Sequence, residues 1–219
     1  MEKIDIKKRR MMKYFIEAAR DIIDSDGIEE VTIRKVASKA GYNSSTLYNY
    51  FDNLEHLIFF AVFHYFHDYT NDIGNKIKFT KNSMERFLII WESFCLHSFR
   101  HPKIYKTMFF GDFNKSIDES IKAYYRIFPD ETTHLTEETK KMVESGDIYL
   151  RNRLLLDTCA KEGYINEKYI NELNEIILLT YESVINRYIN NKLDGSPEEV
   201  TYKFMTYLKR IIEGSLIAP

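Results

Sequence analysis

Residues 31–57 read VTIRKVASKAGYNSSTLYNYFDNLEHL, and the spacing within this stretch decides the fold. Thr32 is a typical N-cap residue ahead of a short helical pattern, which Gly41 ends after about two turns. A segment rich in hydroxyl and amide side chains follows, with Ser44 or Ser45 as its expected N-cap. Two short helices joined at a glycine are typical of a helix-turn-helix, whose second helix enters the major groove of DNA.

Apolar residues in the same stretch indicate how the two short helices pack. Val36 and Ala37 lie on the inward face of the first helix, and Ala37 is small where the helices cross. Leu47 anchors the second helix, so the residues on its other side project outward. That side has no carboxylate between Lys39 and Asp52. The outward residues are Asn43, Ser44, Ser45, Thr46, Tyr48 and Asn49.

The chemistry of these outward residues suits nucleic acid. Amide and hydroxyl groups bond base edges and phosphates, and the Thr46 methyl group can pack on a thymine methyl group. The basic start of the preceding helix adds Lys7 and Lys8 as phosphate contacts. An ordinary three-helix packing unit is the alternative, but packing does not explain an exposed polar stretch without acidic residues. We therefore predict double-stranded DNA as a partner.

Composition excludes several other classes of protein. The 31 Lys and Arg nearly balance 33 Asp and Glu, so a DNA site must be a local patch. Eight glycines and four prolines in 219 residues leave few turns, which predicts long helices and excludes an all-β sandwich. With two cysteines and no pattern of a signal peptide or membrane span, we expect a cytoplasmic protein without a membrane partner.

The rest of the chain reads as helix after helix. Ser196, Pro197 and Glu199 have the pattern of an N-cap, a first helical residue and a capping-box partner for a last helix that reaches Gly214. Residues 130–147 are predicted as a polar loop with one exposed helical piece. The spacing therefore predicts an all-α fold, with further helices at about 7–26, 54–73, 83–100, 104–110, 117–128, 148–161 and 167–193.

Aromatic residues are frequent beyond residue 57. Taken one by one, most of these rings are expected to be ordinary core. Their collective excess favours a pocket for a small, largely hydrophobic or aromatic effector, with either tyrosine hydroxyls or Glu92 and His97 as orienting groups. We predict ligand contacts at Phe63, Trp91, Phe94, Phe110, Tyr124 and Phe128.

The last two helices carry long apolar patterns. These patterns fit either the core of a monomer or a contact with a second copy of the chain. The penultimate helix is apolar on more than one side, which favours a two-fold homodimer. Such a dimer would present two reading helices to a pseudo-palindromic operator. The predicted interface comprises Tyr181, Val184, Tyr188, Phe204, Leu208 and Ile211.

Other chemistry finds little support in the sequence. His97 and His101 have the spacing of a metal pair, as do His64 and His67, but packed or solvated histidine explains them better. We predict no metal and no cofactor. An enzyme is disfavoured because no nucleophile elbow, P-loop, zinc or dinucleotide motif is present. A helical carrier module that works without DNA remains the other alternative.

The stretch from Val31 to Leu57 resembles the signature of the TetR family of bacterial transcriptional regulators. The shared features are a threonine, a helix, an Ala-Gly turn, Thr-Leu-Tyr, Tyr-Phe, then an acidic residue and a leucine. Two positions depart from this signature. Leu54 precedes Glu55 where the family usually has lysine, and Tyr42 replaces a small aliphatic residue. Tyr42 either extends the DNA surface or packs under the third helix, and we favour packing.

The resemblance implies a domain organisation and roles for individual residues. It implies a helix-turn-helix DNA-binding domain over residues 1–52 and a helical effector-binding and dimerisation domain over residues 53–219. We therefore predict a repressor controlled by a small molecule, with the fourth helix as the lever between the two domains. The same resemblance assigns phosphate contacts to Thr32 and Tyr48. It assigns the recognition surface to Ser44, Ser45, Thr46 and Asn49. The predicted DNA site also includes Arg34.

Overall fold

The computed structural model describes residues 6–110, 117–128, 140, 145–214 and 216. The chain divides into two compact units. The first contains the described residues up to His67 and those of 117–128, and the second contains the described residues of 68–110 and from 140 onward. The boundary predicted at residue 52 stays a prediction.

All regular secondary structure in these residues is helical, which confirms the predicted fold class. One isolated antiparallel bridge pairs Ile165 with Leu216, and short 3₁₀ turns occur at Ile28–Glu30, Ile77–Phe79 and Glu167–Tyr169. The α-helices are α1 (Ile6–Asp26), α2 (Ile33–Lys39), α3 (Ser44–Leu47), α4 (Leu54–Lys76), α5 (Ser83–Arg100), α6 (Pro102–Phe110), α7 (Ile117–Ile127), α8 (Ile148–Lys161), α9 (Ile170–Ile189) and α10 (Pro197–Glu213).

Several helices begin and end where the sequence predicts, because local groups satisfy the backbone there. The Thr32 hydroxyl accepts a hydrogen bond from the Lys35 amide at 3.2 Å, as a cap of α2. Ser196 and Glu199 form both bonds of the predicted capping box, at 3.2 and 2.7 Å. Gly41 has a φ of 78°, a left-handed conformation that permits the turn between α2 and α3.

Two helix C-termini differ from the prediction by three or more residues, for local reasons. Helix α4 continues past Ile73 to Lys76, whose ammonium pairs with Asp72 one turn earlier at 2.6 Å. Helix α9 ends at Ile189 rather than near 193. The cause is Asn191, which has a φ of 52° and lets the following amide bond the Arg187 carbonyl at 2.8 Å. The polar loop predicted at 130–147 lies almost entirely outside the described residues.

In the first unit, aromatic rings pack α1, the segment after α3, and α4 together. Phe15 of α1 is fully buried, and its ring meets that of Phe51 edge-on at 6.3 Å. Phe51 in turn meets Phe60 of α4 at 5.8 Å. Helix α7 is fastened to α1 in the same unit, where the Arg20 guanidinium donates to the Tyr124 hydroxyl at 3.1 Å. The segment that follows α3 is therefore held by a buried aromatic core.

In the second unit, α5 packs against α8 and α10, and α9 packs against α8 and α10. Trp91 of α5 lies at the centre, with ring centroids 5.7 Å from Tyr181 of α9 and 5.3 Å from Phe204 of α10. In the part of the chain that the structure describes, no helix is long and apolar enough to cross a membrane.

Candidate nucleic-acid interface and effector cavity

Helix α3 is a single turn and depends on the residue before it. The Asn43 carboxamide oxygen accepts hydrogen bonds from the Thr46 amide at 2.9 Å, the Thr46 hydroxyl at 2.8 Å and the Ser45 hydroxyl at 2.6 Å. Asn43 is therefore the N-cap of α3. This corrects the expectation that Ser44 or Ser45 is the cap. The sequence places three capping residues side by side, and Asn43 has the extended backbone that a cap requires.

The outward side of α3 is open to solvent, as the sequence predicts. Leu47 is fully buried, whereas Asn43, Ser45, Tyr48 and Asn49 are exposed. Ser44 and Thr46 are half-buried. Tyr42 packs its ring 5.5 Å from that of Phe15 and keeps one edge in solvent. The predicted recognition residues therefore share one accessible polar surface.

The cationic side chains of α1 and α2 differ in their exposure and in their contacts. Lys7, Lys8 and Arg34 are exposed. Arg9, between two exposed neighbours, donates instead to the Ile127 carbonyl at 3.0 Å. The Lys35 ammonium lies 2.6 Å from Glu30, and this hydrogen bond raises the pKa of Lys35.

The charges of Lys35 and of Lys39, which lies 3.3 Å from Asp21, are therefore partly compensated within the protein. Lys8 and Arg34 are exposed and are therefore better placed to meet phosphates. These DNA contacts stay predictions.

We predict that Asn43→Ala weakens α3 by about 1 kcal/mol, because three donors lose their acceptor. Affinity should fall about 5-fold for every DNA sequence, as fluorescence anisotropy with duplexes of different sequence would measure. Asn43→Ser is the matched control, since serine also caps helices but lacks the amide. A serine variant with altered base preference would contradict the capping role and make Asn43 a reader of bases.

A small cavity lies in the second unit, between α4, α5 and α8. Its volume is about 30 Å³, which is room for one or two water molecules. Most of its wall is apolar or aromatic, and its polar wall residues come from α8. The lining residues are Tyr69, Ile90, Trp91, Phe94, Ile148, Arg151, Asn152 and Leu155.

A buried chain of hydrogen bonds fixes one wall of this cavity. The Trp91 indole donates to the Asn152 carboxamide oxygen at 2.9 Å. The Asn152 amide nitrogen then donates to the carboxamide oxygen of Asn174 on α9, also at 2.9 Å. All three side chains are buried. The cavity wall is thus joined to α9 by two bonds that water cannot replace without opening the core.

A buried arginine forms part of the wall of this cavity. Arg151 is only 7% exposed, its Nε donates to the Ser145 carbonyl, and its guanidinium lies 5.1 Å from the ring centroid of Phe109. Burial raises the pKa of Tyr69, and the nearby Arg151 charge opposes that rise. Tyr69 therefore stays a neutral phenol at physiological pH.

Sequence reasoning missed Tyr69, Arg151 and Asn152 as wall residues. The available signal was the spacing of α8, where Ile148, Arg151 and Asn152 recur at the interval of one helix face. A charged and an amide residue on an otherwise apolar face mark a polar site.

The predicted ligand residues do not form one group. Trp91 and Phe94 line the cavity. Phe63 and Tyr124 pack against each other in the first unit, at 4.7 Å, and Phe128 lies 4.8 Å from Tyr124. Phe110 packs on Tyr181 at 6.1 Å.

Of the two predicted orienting groups, Glu92 is exposed, while His97 lies 3.6 Å from Asp72. Neither lines the cavity. Among the described residues, no cluster of three side chains could hold a metal.

We predict that Asn152→Ala lowers the free energy of unfolding by about 1–3 kcal/mol, since it leaves the Trp91 donor and the Asn174 acceptor buried without partners. Urea denaturation followed by tryptophan emission would measure this loss. Asn75→Ala, on the exposed side of α4, is the control and should change stability by less than about 0.5 kcal/mol. Equal effects of the two substitutions would show that the buried chain contributes nothing.

Four of the six predicted dimer residues are core of the single chain, since Val184 is also only 6% exposed. Tyr181, Phe204 and Leu208 are fully buried by their own chain. They cannot contact a second copy, which corrects the prediction for these three. The reason is that α9 is apolar on two sides, and the side with Tyr181 faces α5. Val184 lines a groove on the outer surface, and Tyr188 and Ile211 are half-buried, so these three stay predictions.

Comparison with known proteins supports the reading of the N-terminal segment. Residues 15–59 match the family model described as bacterial regulatory proteins of the tetR family. This range holds the helix-turn-helix, the Asn43 cap and the Phe15 core. TetR-family regulators are DNA-binding proteins rather than enzymes. A comparison with curated proteins finds no match.

Solved structures share the whole fold at low sequence identity. A TetR-family repressor of Thermus thermophilus, FadR, in complex with lauroyl-CoA, is 13% identical with a TM-score of 0.61, over 95% of this chain and 96% of that one. A TetR regulator from Haloarcula marismortui is 11% identical with a TM-score of 0.59, over 95% and 99%.

RolR, solved with resorcinol, is 15% identical with a TM-score of 0.55, over 94% and 93%. Residues 15–59 therefore match the tetR family of bacterial regulatory proteins, within a chain that has the fold of these solved TetR-family regulators.

Proposed function

We propose that this chain is a repressor that binds a pseudo-palindromic operator as a homodimer and responds to a small, largely apolar effector. The observation that carries the proposal is the polar, acid-free surface of α3, which Leu47 and the Asn43 cap hold toward solvent. Lys7 and Lys8 supply positive charge at the start of α1. A protein with this task works beside DNA, so we place it in the cytoplasm.

We propose that α3 recognises the bases of the operator, and that the residues around α3 bind phosphates and so position the protein on the DNA. Thr32 uses its hydroxyl oxygen as an acceptor in the α2 cap, and its hydroxyl hydrogen can still donate to a phosphate. Tyr48 and Arg34 are exposed and can hold phosphates as well. Asn49 is exposed and offers an amide, the group that pairs bidentately with adenine.

We expect selection from random duplex pools to enrich a palindrome. Lys8→Ala should then flatten the slope of log affinity against log salt by about 0.9, since one phosphate contact is lost. Asn49→Ala should instead lower affinity about 10-fold at one base position and relax the preference there. Lys161→Ala, an exposed lysine of α8, is the control for charge alone. A chain that enriches no sequence would be a carrier rather than a regulator.

The proposed dimer uses the outer side of α9 and α10 rather than the residues buried beneath it. Ile176 is 40% exposed and Leu179 is 52% exposed, which is high for residues of this type. A groove of about 470 Å³ lies beside them and includes Val184 and Tyr207. The same surface on a second copy can cover this apolar strip in a two-fold arrangement.

We expect Leu179→Lys to favour the monomer of 26.1 kDa, because it would bring two like charges into a desolvated contact. Sedimentation equilibrium would show at least about a 10-fold rise in the dissociation constant of the dimer. Leu154→Lys, at an exposed leucine of α8, is the matched control and should leave assembly unchanged. The proposed surface is wrong if both variants assemble alike.

Effector binding is proposed at the cavity between α4, α5 and α8. The support is its aromatic and apolar wall, together with neighbours of the same fold that were solved with lauroyl-CoA and with resorcinol. Tyr69 of this wall lies on α4, the helix that begins at Leu54 directly after the DNA-binding segment. A coupling of about 1–3 kcal/mol between effector and operator would change DNA affinity about 5- to 150-fold.

A further inference from the structure

Resting on the dimer surface proposed above, we propose that α9 pairs antiparallel with α9 of a second copy, so that Glu172 of each chain meets the partner's Arg187. The two-fold axis then passes between the two helices at Leu179 and Thr180. A homodimer as such leaves both the direction of the partner helix and the pairing of charges open.

One strip of α9 runs along the side of the helix that borders the groove. Successive residues of a helix are about 100° apart, so residues three, four or seven apart share a side. Ile176, Leu179 and Ser183 have this spacing, and all three are exposed. We call this side the groove-side strip, and its members are Glu172, Ile176, Leu179, Thr180, Ser183 and Arg187.

The groove-side strip carries opposite charges at its two ends. Glu172 is exposed in the first turn of α9, and Arg187 is exposed in the last turn. The charges are about 22 Å apart along the helix axis, with apolar and hydroxyl side chains between them. Two copies of this strip that run in the same direction place like charges together, which is unfavourable. Two copies that run in opposite directions place acid on base at both ends.

The charged ends of the strip also fix the register. The position midway between them falls between Leu179 and Thr180. An antiparallel pair centred there sets Ile176 opposite the partner's Ser183, and Leu179 opposite the partner's Thr180. At each inner position an apolar side chain therefore meets a small hydroxyl residue, which lets the two helices approach closely. Both chains gain the same contacts, as a two-fold interface requires.

The groove between α9 and α10 is complementary to the acidic end of a partner's strip. It lies beside the C-terminal half of α9 and has a volume of about 470 Å³. Arg187 and Lys203 line it, and none of the eight described residues of its wall is acidic. The Arg187 guanidinium donates to the Lys192 carbonyl at 3.2 Å, a bond that leaves its charge uncompensated. The antiparallel register brings the partner's Glu172 to this end of the groove.

The helix dipole is the other explanation for an acid at the start of α9 and a base at its end. A dipole acts equally on every side of a helix, so it does not explain why both charges lie on the groove-side strip. The two explanations also differ in what they predict for an exchange of the two charges. The exchanged charges are both unfavourable with the dipole, yet they restore both ion pairs across the proposed dimer.

Charge exchange in the full chain, followed by sedimentation equilibrium at low ionic strength, tests the pairing. Glu172→Arg and Arg187→Glu should each raise the dissociation constant of the dimer at least about 10-fold, because each places like charges together at two symmetric positions. The variant with both substitutions should return to within about 3-fold of the unaltered chain. Glu182→Arg is the matched control, since this acid lies about 140° around the helix from Arg187.

A cysteine pair tests the register without any change of charge. Mild oxidation of a chain with both Ile176→Cys and Ser183→Cys should join two copies by disulfides, whereas either substitution alone should not. The two positions are about 10 Å apart on one helix, which is too far for a disulfide within the chain. Cys95 and Cys159 are buried and give no background. This measurement decides the question if a charge variant does not fold.

The antiparallel pairing is wrong if the double charge variant assembles no better than the weaker single variant. It is also wrong if one cysteine substitution alone cross-links the chains, or if the cysteine pair does not. A dimer that Leu179→Lys disrupts and that the charge variants leave unchanged would keep the proposed dimer surface and refute this register. A chain that stays monomeric at every concentration would refute the proposed dimer itself.

Discussion

Three hydrogen bonds on the Asn43 carboxamide oxygen hold α3 in shape, and any reading of DNA by this protein depends on them. A helix of one turn does not form by itself, because the conformational entropy lost in nucleation exceeds what one turn of hydrogen bonds contributes. The Asn43 cap and the buried Leu47 supply the stabilisation of α3 that helix propensity alone does not give. The Ser45 and Thr46 hydroxyls that donate to Asn43 are also predicted base contacts, so these predicted contacts are already held in place within the chain.

Local signals made much of the fold predictable. The bounds of α5 and α8 match the sequence expectation, and the caps at Thr32 and Ser196 are where the pattern places them, because each depends on a few neighbouring residues. The end of α9 was not predictable. Asn191 ends it in a left-handed conformation, and nothing in the sequence marks this asparagine as different from Asn190 beside it.

The site was less predictable because burial is a property of the packed chain. Tyr181 looks like an interface residue when α9 is considered alone, and only the rings of Trp91 and Phe204 show that it is core. Arg151 shows the opposite error. A charged residue is expected to face solvent, yet this arginine is buried. The periodicity of apolar residues predicts which face of a helix is buried, but not which helix packs against that face. The sequence therefore indicates that the aromatic residues are important, but not which of them contact one another.

The buried chain from Trp91 through Asn152 to Asn174 restricts how the cavity can change. An effector that displaces Asn152 alone leaves two buried groups unpaired, at a cost of about 1–3 kcal/mol each. Moving α9 together with Asn152 keeps the bond to Asn174 and leaves only the Trp91 indole unpaired, so it costs less. Asn174 faces inward on α9, whereas Ile176 and Leu179 are exposed on the same helix. A ligand that enlarges the cavity therefore acts on the outer surface of α9 by the least costly route, which is the surface proposed for the dimer.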